Sequence, residues 1–308
     1  MTAILDTAER RRLRRRGWWL FTLGFLLGMI SAVWVTSLTR RHENANGGGV
    51  EAVPSFETGD REVLASSIAE VLEIAQDSLN RLRQDVDDYT ATLIKQESIH
   101  SIVADANELF VKVQCKHRGA ALDETQPMRV YLRFIQPLSV AGREVIWCED
   151  LHDGKMVAHE AGLMGMLTVR LDPNGMIAMR GQKYPIYDIG LTNLLKKLIE
   201  RGKQDLDNPN VSVTITKNIE IDGLKCDLIQ VKRSQSSGSP DDFSLAEICL
   251  DRSRNLPIRY TAYGWPAEGQ SPDATMPLLE SYTYLNIQIN VGLTEQDFDP
   301  ANPDYQFR

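Results

Sequence analysis

Residues 152–160, HDGKMVAHE, contain the clearest group of side chains that could do chemistry. His152, Asp153, His159 and Glu160 are of the types that bind metals or transfer protons. Asp153-Gly154, however, predicts a hairpin turn, and two histidines seven positions apart on a continuous strand point to opposite faces. The turn is therefore the favoured interpretation over a metal site. A hydrolase that uses His152 and His159 with an acid is kept as the third of three functional hypotheses.

His100 and His117, with Asp105 between them, could also supply a base and an acid. Their positions near predicted strand ends favour surface histidines. The sequence has no GxSxG, Walker, GxGxxG or HExxH motif. We therefore predict a non-enzymatic protein with no catalytic residues, no cofactor and no metal site.

Arg143 and Glu144 begin a predicted strand in the segment AGREVIWCED. Adjacent strand residues point to opposite faces, so these two side chains do not pair with each other. One of them points inward and needs a partner. A structural ion pair is the favoured interpretation, and a polar anchor inside a lipid pocket is the alternative.

Aromatic and aliphatic side chains at strand positions could line a ligand cavity, although ordinary core packing is the default interpretation for most of them. The cavity candidates are Leu132, Phe134, Trp147, Arg143, Tyr260 and Tyr282.

These candidates lie on segments that alternate between apolar and polar residues, as half-buried antiparallel strands do. The clearest alternation occurs in residues 109–115, 128–134, 211–216 and 283–290. Asp222-Gly223 predicts a second two-residue hairpin, and Asp172-Pro173-Asn174-Gly175 predicts a type I turn. We expect about ten or eleven strands, joined mostly by short turns.

Two amphipathic helices accompany the strands. One apolar stripe runs from Leu64 to Val86, and another runs from Leu191 to Ile199, where Gly202 suits the helix end. A sheet of this many strands curls because strand twist accumulates. The predicted fold is α+β: after an N-terminal transmembrane helix, a large curled antiparallel sheet, or half-open barrel, is covered by two helices. The enclosed volume is either a packed core or a cavity.

An apolar segment precedes this domain. Residues 17–38 carry no charge. At about 1.5 Å per residue such a helix spans roughly 33 Å, which is enough for a hydrocarbon core of about 30 Å. Trp18, Trp19 and Trp34 lie near its ends, as is typical of membrane interfaces. The length of the run favours a retained anchor over a cleaved signal peptide.

Arginines set the predicted orientation. Arg10, Arg11, Arg12, Arg14, Arg15 and Arg16 precede the apolar run, and Arg40 and Arg41 follow it. Positive residues resist translocation, so the N-terminus stays in the cytoplasm. We predict a single-pass protein of a bacterial inner membrane. Residues 1–16 form the cytoplasmic tail, 17–39 the transmembrane helix, 40–60 a flexible linker and 61–308 a periplasmic domain.

Net charge limits the class of partner. Residues 1–43 carry a formal charge of +5 and the whole chain carries −8, which leaves −13 on residues 44–308. An acidic domain repels phosphate backbones, so nucleic acid is not an expected partner. The bilayer, a lipid or lipoprotein, and a membrane protein are the expected partners.

Four cysteines, Cys115, Cys148, Cys226 and Cys249, lack the spacing of a zinc site. Cys226 and Cys249 are the best candidates for a disulfide. Residue alternation assigns Cys226 to an apolar face and Cys249 to a polar one, which favours free thiols, although the disulfide stays open.

Several segments resemble a family. YTATLIKQE (89–97), MRVYLRFIQPLSVAGREVIW (128–147), LDPNGMIAM (171–179), YPIYDIGLTNL (184–194) and DFDPANPDYQF (297–307) are similar to the recurrent blocks of an uncharacterised planctomycete family, domain of unknown function 1571. This resemblance implies no functional residue. The predicted architecture also resembles the wider LolA-like group of periplasmic lipoprotein carriers, which implies a half-open sheet with helices over an apolar cavity.

Three hypotheses follow. The first is a membrane-anchored protein that binds a lipid, lipoprotein or other hydrophobic ligand between its sheet and helices. The second is a sensor or scaffold domain that binds a protein partner. The third is the hydrolase. The absence of a converging polar site in the sequence favours the first.

Overall fold

The structure is a computed structural model that describes residues 62–116, 126–161, 167–238, 242–266 and 276–307. The predicted tail, membrane helix and linker lie outside these residues, together with Trp18, Trp19, Trp34, the arginines from Arg10 to Arg16, and His117. Among the described residues, no helix is both long and apolar enough to cross a bilayer. The predicted domain boundaries within residues 1–61 stay predictions.

The described chain contains two α-helices and thirteen β-strands. In chain order they are β1 (Val63–Ser66), α1 (Ile68–Asp85), β2 (Asp88–Ile99), β3 (Ile102–Val103), β4 (Asn107–Gln114), β5 (Arg129–Gln136), β6 (Glu144–Cys148), β7 (Met156–His159), β8 (Thr168–Leu171), α2 (Leu191–Gln204), β9 (Val211–Ile221), β10 (Leu224–Arg233), β11 (Leu245–Asp251), β12 (Leu256–Tyr263) and β13 (Leu278–Ile289).

All the strands belong to one antiparallel sheet. Its order is β1-β9-β10-β11-β12-β13-β2-β4-β5-β6-β7-β8, and β3 pairs with β2. Within the described ranges the edge strands β1 and β8 do not pair with each other, so the sheet is open. Helix α1 carries the chain from the β1 edge to the central strand β2. Helix α2 carries it from the β8 side back to β9.

The sequence predicted ten or eleven strands, which is too few. Two of the thirteen are very short: β1 has 4 residues and β3 has 2. Strands of this length show too few alternations between apolar and polar residues to be recognised. The large open antiparallel sheet with two helices is confirmed.

Helix α1 begins later than its apolar stripe predicts. Ser67 caps the helix, because its Oγ accepts a hydrogen bond from the backbone N–H of Glu70 at 3.2 Å. Leu64, which the stripe includes, instead lies in β1 opposite Ile215. The buried apolar residues of α1 are Ile68, Leu79 and Leu82.

Helix α2 packs against α1 at Gly202. A Cβ atom at Gly202 would lie 2.9 Å from Cδ2 of Leu72, so the two helices approach closely here and a larger residue would displace the leucine side chain. The sequence predicted that the helix ends at Gly202, which is wrong. The helix continues to Gln204, and the N–H of Asp205 donates to the carbonyl of Gly202 at 3.0 Å.

The two helices cover one face of the sheet, which we call the inner face. The main core lies there and joins strand residues such as Leu93 and Val111 to Leu195 of α2. A second core joins Ile68 of α1 to the β9–β12 half of the sheet, for example at Ile248.

The opposite, outer face is covered at β4–β6 by the chain's last described residues. The rings of Tyr131 and Tyr305 stack 4.2 Å apart. Glu144 accepts hydrogen bonds from the hydroxyl of Tyr131 at 2.9 Å and from the N–H of Gln306 at 2.7 Å. Phe298 is completely buried in the same cluster. This side of the sheet is therefore packed with protein.

Two of the three turn predictions are confirmed. Asp222 and Gly223 have φ angles of 49° and 74° and connect β9 to β10. The N–H of Gly175 donates to the carbonyl of Asp172 at 2.9 Å, as in a type I turn. The two-residue hairpin at Asp153-Gly154 is wrong, because a longer loop with a 3₁₀ turn joins β6 to β7.

All four cysteines are free and buried. The predicted disagreement between the faces of Cys226 and Cys249 is wrong. Strand pairing sets Cys226 opposite Asp251 and Leu228 opposite Cys249, so the two thiols share a face and belong to one core cluster. Asp251, which marked the face as polar, is itself buried and accepts hydrogen bonds from the N–H and Oγ of Ser253.

Candidate functional site

Three cavities lie between the helices and the inner face. Their volumes are about 70, 90 and 340 Å³. The smallest lies between α1, α2 and strands β10–β12. The enclosed volume is thus a packed core with local hollows, and we call the 340 Å³ hollow the large cavity.

The floor of the large cavity is one row of inner-face residues across four strands. Strand pairing sets Tyr89 opposite Val113, Val113 opposite Val130, and Val130 opposite Trp147. Tyr89, Val113 and Trp147 line the cavity. They share a face because side chains alternate along each strand, and the register aligns them.

The roof is the segment that leads into α2. The backbone N–H groups of Gly190 and Leu191 donate to the hydroxyls of Tyr284 and Tyr89 at 3.2 and 3.1 Å. These bonds satisfy donors that a helix start leaves free. Gly190 has a φ of 105°, and a Cβ there would lie 3.0 Å from the Tyr89 hydroxyl, so glycine is required. Burial raises the pKa of Tyr89 well above its ordinary value.

Hydrogen bonds and a ring contact hold the aromatic wall of the large cavity. The indole N–H of Trp147 donates to the carbonyl of Gly154 at 3.1 Å. The rings of Trp147 and Tyr187 lie 5.8 Å apart at an angle of 52°. Asn193 donates from Nδ2 to the carbonyl of Tyr187 at 2.7 Å, which fixes the segment that carries Tyr187.

The charged lining of the large cavity includes Lys116, Lys196 and Glu149. Lys116 forms an ion pair with Glu149, whose other oxygen accepts from the N–H of Met128 at 3.1 Å. Burial and the positive charges of Arg83 and Lys116 lower the pKa of Lys196, despite the opposing effect of Glu149.

The 90 Å³ cavity differs from the large one because it contains buried ion pairs. Glu280, on β13, has a side chain only 2% exposed. It lies 3.2 Å from Nη1 of Arg201 and 3.0 Å from Nζ of Lys183. Burial alone would raise the pKa of Glu280, but the charges of Lys183 and Arg201 outweigh it and the pKa is lowered. Arg201 also donates to the hydroxyl of Tyr260 at 2.6 Å.

Glu97 is a second buried carboxylate beside the same cavity. The hydroxyl of Tyr282 donates to its Oε1 at 2.5 Å, and the N–H of Lys183 donates to its Oε2 at 3.0 Å. Lys95 lies 3.1 Å from Oε2 of Glu97. These bonds tie the segment before α2 to the sheet. Within the described residues, every carboxylate of the 90 Å³ cavity has a cationic partner in its own chain.

The predicted cavity residues have different positions. Trp147 lines the large cavity, and Tyr260 and Tyr282 line the 90 Å³ cavity. Leu132 and Phe134 belong to the main core and line none of the three cavities.

Arg143 forms a structural ion pair with Glu160, with Nη2 and Oε2 3.0 Å apart. Glu144 lies on the opposite face and holds the chain's last described residues. The contact between Arg143 and Glu160 is a structural ion pair, as the favoured interpretation predicted, whereas Glu144 is held by hydrogen bonds.

The histidines of the hydrolase hypothesis are not brought together. His152 lies in the turn before β7, whereas His159 ends that strand. Nδ1 of His159 lies 2.9 Å from Oγ1 of Thr168, and its ring meets that of Phe307. His100 is exposed. In the part of the chain that the structure describes, no group of three or more metal-binding side chains occurs.

Four charged residues of this site were not predicted from the sequence: Glu97, Glu280, Lys183 and Arg201. A signal was present, because Lys95 and Glu97 alternate in step with the apolar Leu93 and so share its inner face. Charged residues at such positions mark a buried polar network.

A family model described as "Protein of unknown function (DUF1571)" matches residues 86–307. The chain belongs to the DUF1571 family. The predicted family membership is confirmed. A comparison with curated proteins finds no match.

Several solved structures are similar to this DUF1571 chain. A DUF1329 family protein from Desulfovibrio piger is 11% identical, with a TM-score of 0.36, over 76% of this chain and 98% of that one. A LolA superfamily protein from Nitrosomonas europaea is 9% identical, with a TM-score of 0.29, over 76% and 98%. The Pseudomonas aeruginosa MucA/MucB complex gives 14% identity and a TM-score of 0.38 over 73% and 60%.

Proposed function

We propose that this DUF1571 protein is a non-enzymatic, membrane-anchored extracytoplasmic protein that binds a hydrophobic ligand in the large cavity. The observation that carries the proposal is a hollow of about 340 Å³ with a mostly apolar and aromatic lining under the start of α2. Ligand pockets in proteins are typically about 300–1,000 Å³ and have such linings. The cavities of about 70 and 90 Å³ are below that range.

The size of the cavity favours an alkyl chain. A volume of 340 Å³ holds roughly eleven groups of the size of a water molecule or a methylene, at about 30 Å³ each. A chain of about ten carbons therefore fits, at about 0.8 kcal/mol of transfer free energy for each buried methylene. A lipid or a lipoprotein could supply such a chain.

The sequence supports the membrane location. Residues 17–38 carry no charge, and six arginines precede them. This pattern is typical of a retained anchor with a cytoplasmic N-terminus, which leaves residues 61–308 outside the cytoplasm. The domain is then tethered to the membrane that would supply its lipid.

Fluorescence quenching tests the proposal with residues 53–308, a compact unit of the chain. In a Trp265→Phe variant of this fragment, Trp147 is the single tryptophan, and it lines the large cavity. We expect 12-bromododecanol, a neutral alkyl probe, to quench Trp147 saturably.

Two further substitutions provide the control. Thr192→Phe places a ring in the large cavity and should abolish quenching, whereas Ala75→Leu fills the 70 Å³ cavity and should leave it unchanged. Equal, non-saturable quenching in all three proteins would overturn the proposal.

A further inference from the structure

We propose that the ligand of the large cavity is an anionic amphiphile, whose alkyl chain enters the cavity and whose carboxylate or phosphate binds Lys196 in the cavity lining. This inference rests on the proposed function and adds the chemical class of the ligand. It is carried by a lysine, Lys196, that lines a mostly apolar hollow and has no ion-pair partner among the described residues.

The large cavity is lined by two lysines, Lys116 and Lys196, and by two carboxylates, Glu149 and Asp188. Glu149 pairs with Lys116, and Asp188 pairs with Lys197, which leaves Lys196 as the unpaired charge of the lining in the part of the chain that the structure describes. The positive charge of Arg83 on α1 also acts on Lys196. Among the described residues, neither Lys196 nor Arg83 has an ion-pair partner. The Nε–H of Arg83 is buried and has no hydrogen-bond partner there.

These cations are costly without a counter-charge. Like charges held together in a partly buried site disfavour one another, and the lowered pKa of Lys196 is the consequence of burial and of the charges of Arg83 and Lys116. A buried donor without a partner also costs free energy. A bound anion would relieve both costs, because an oxyanion accepts several charge-assisted hydrogen bonds.

The 90 Å³ cavity shows the contrast. There, Glu97 and Glu280 already pair with lysine and arginine, so its positive charges are balanced. Lys196, which has no ion-pair partner among the described residues, lines the large cavity, whose volume suits an alkyl chain. Charge and volume therefore select the same ligand class at the same place.

Native mass spectrometry of the full chain in phosphatidylcholine nanodiscs tests this inference. Four probes share a ten-carbon chain and differ in the head group: decanoate, decyl phosphate, 1-decanol and decyltrimethylammonium. The ratio of bound to free protein gives the relative affinity of each probe. Decanoate and decyl phosphate should bind at least about five-fold more tightly than 1-decanol, and decyltrimethylammonium more weakly than 1-decanol. Inorganic phosphate alone should bind more weakly than decyl phosphate.

Matched variants locate the head group. Lys196→Gln and Arg83→Gln should each lower the affinity for decanoate by about three- to ten-fold and leave 1-decanol unchanged. Lys203→Gln removes a charge from an exposed position of the same helix α2 and should change neither affinity. Thermal melting of each variant verifies its fold.

The outcomes separate the two proposals. Binding of 1-decanol or decyltrimethylammonium as tight as that of decanoate would overturn the anionic class and leave the hydrophobic site standing. Equal binding of inorganic phosphate and decyl phosphate would indicate a plain anion site and overturn the amphiphile. No saturable binding of any of the four probes would remove the proposed function and this inference together.

Discussion

Replacing Glu280 with glutamine should destabilise the domain by about 3 kcal/mol. The side chain of Glu280 is 2% exposed and lies 3.0–3.2 Å from Lys183 and Arg201. Removing one partner of a buried ion pair costs about 3–5 kcal/mol, because the other charge stays buried. Lys183 and Arg201 keep 22% and 23% exposure, so partial hydration favours the lower end of that range.

Urea unfolding and thermal melting of residues 53–308 measure this cost. For a domain of this size, 3 kcal/mol corresponds to a fall in Tm of about 6–12 °C. Glu220→Gln is the control, since Glu220 is exposed on β9 and its replacement should cost less than about 0.5 kcal/mol. Equal stability of wild type, Glu280→Gln and Glu220→Gln would refute the buried ion cluster.

The pH dependence of the folding stability provides a second test of the Glu280 ion pairs. The pKa of Glu280 is lowered in the folded protein. As the pH falls, Glu280 therefore binds a proton at a higher pH in the unfolded protein than in the folded one. Its contribution to stability is present above its ordinary pKa of 4.5 and is lost as the pH falls through the lowered folded value. Wild type should therefore lose more stability than Glu280→Gln below pH 4.5.

Three further predictions address the packing. Burial raises the pKa of Cys148, Cys226 and Cys249 to about 12. These thiols should therefore not react with Ellman's reagent at pH 8 until the protein is unfolded. Rapid labelling of these three thiols in the folded protein would contradict their burial. Phe298→Ala should cost about 3–5 kcal/mol in urea unfolding, because Phe298 is completely buried on the outer face; a cost below 1 kcal/mol would show that this face is not sealed. Gly190→Ala should cost about 1–3 kcal/mol, because its φ is 105° and the new Cβ would meet the hydroxyl of Tyr89, whereas an unchanged Tm would contradict that geometry.

The sheet could be predicted because its long strands follow a period of two. Val111 and Val113, and likewise Val213 and Ile215, alternate with polar residues, and such a pattern fixes which face is buried. The strands β1 and β3 could not be predicted, because 2 to 4 residues give no period. The apolar Leu64 was assigned to the helix for the same reason, since one leucine fits either period.

The site was less predictable than the fold. Trp147 could be proposed as a cavity residue, but its row with Tyr89 and Val113 depends on strand register, which alternation within one strand does not supply. Lys196 and Arg83 lie on different helices and look like ordinary surface cations in the sequence. Their proximity depends on how α1 and α2 pack, including the close approach at Gly202.

A crystal structure of the protein soaked with 10-bromodecanoate tests the central claim most directly, because bromine is located by its anomalous signal. We expect a bromine peak inside the large cavity, near Trp147 and Tyr187, and the carboxylate beside Lys196. A large cavity without bromine, whether bromine is bound elsewhere in the crystal or not at all, would contradict the proposed ligand site.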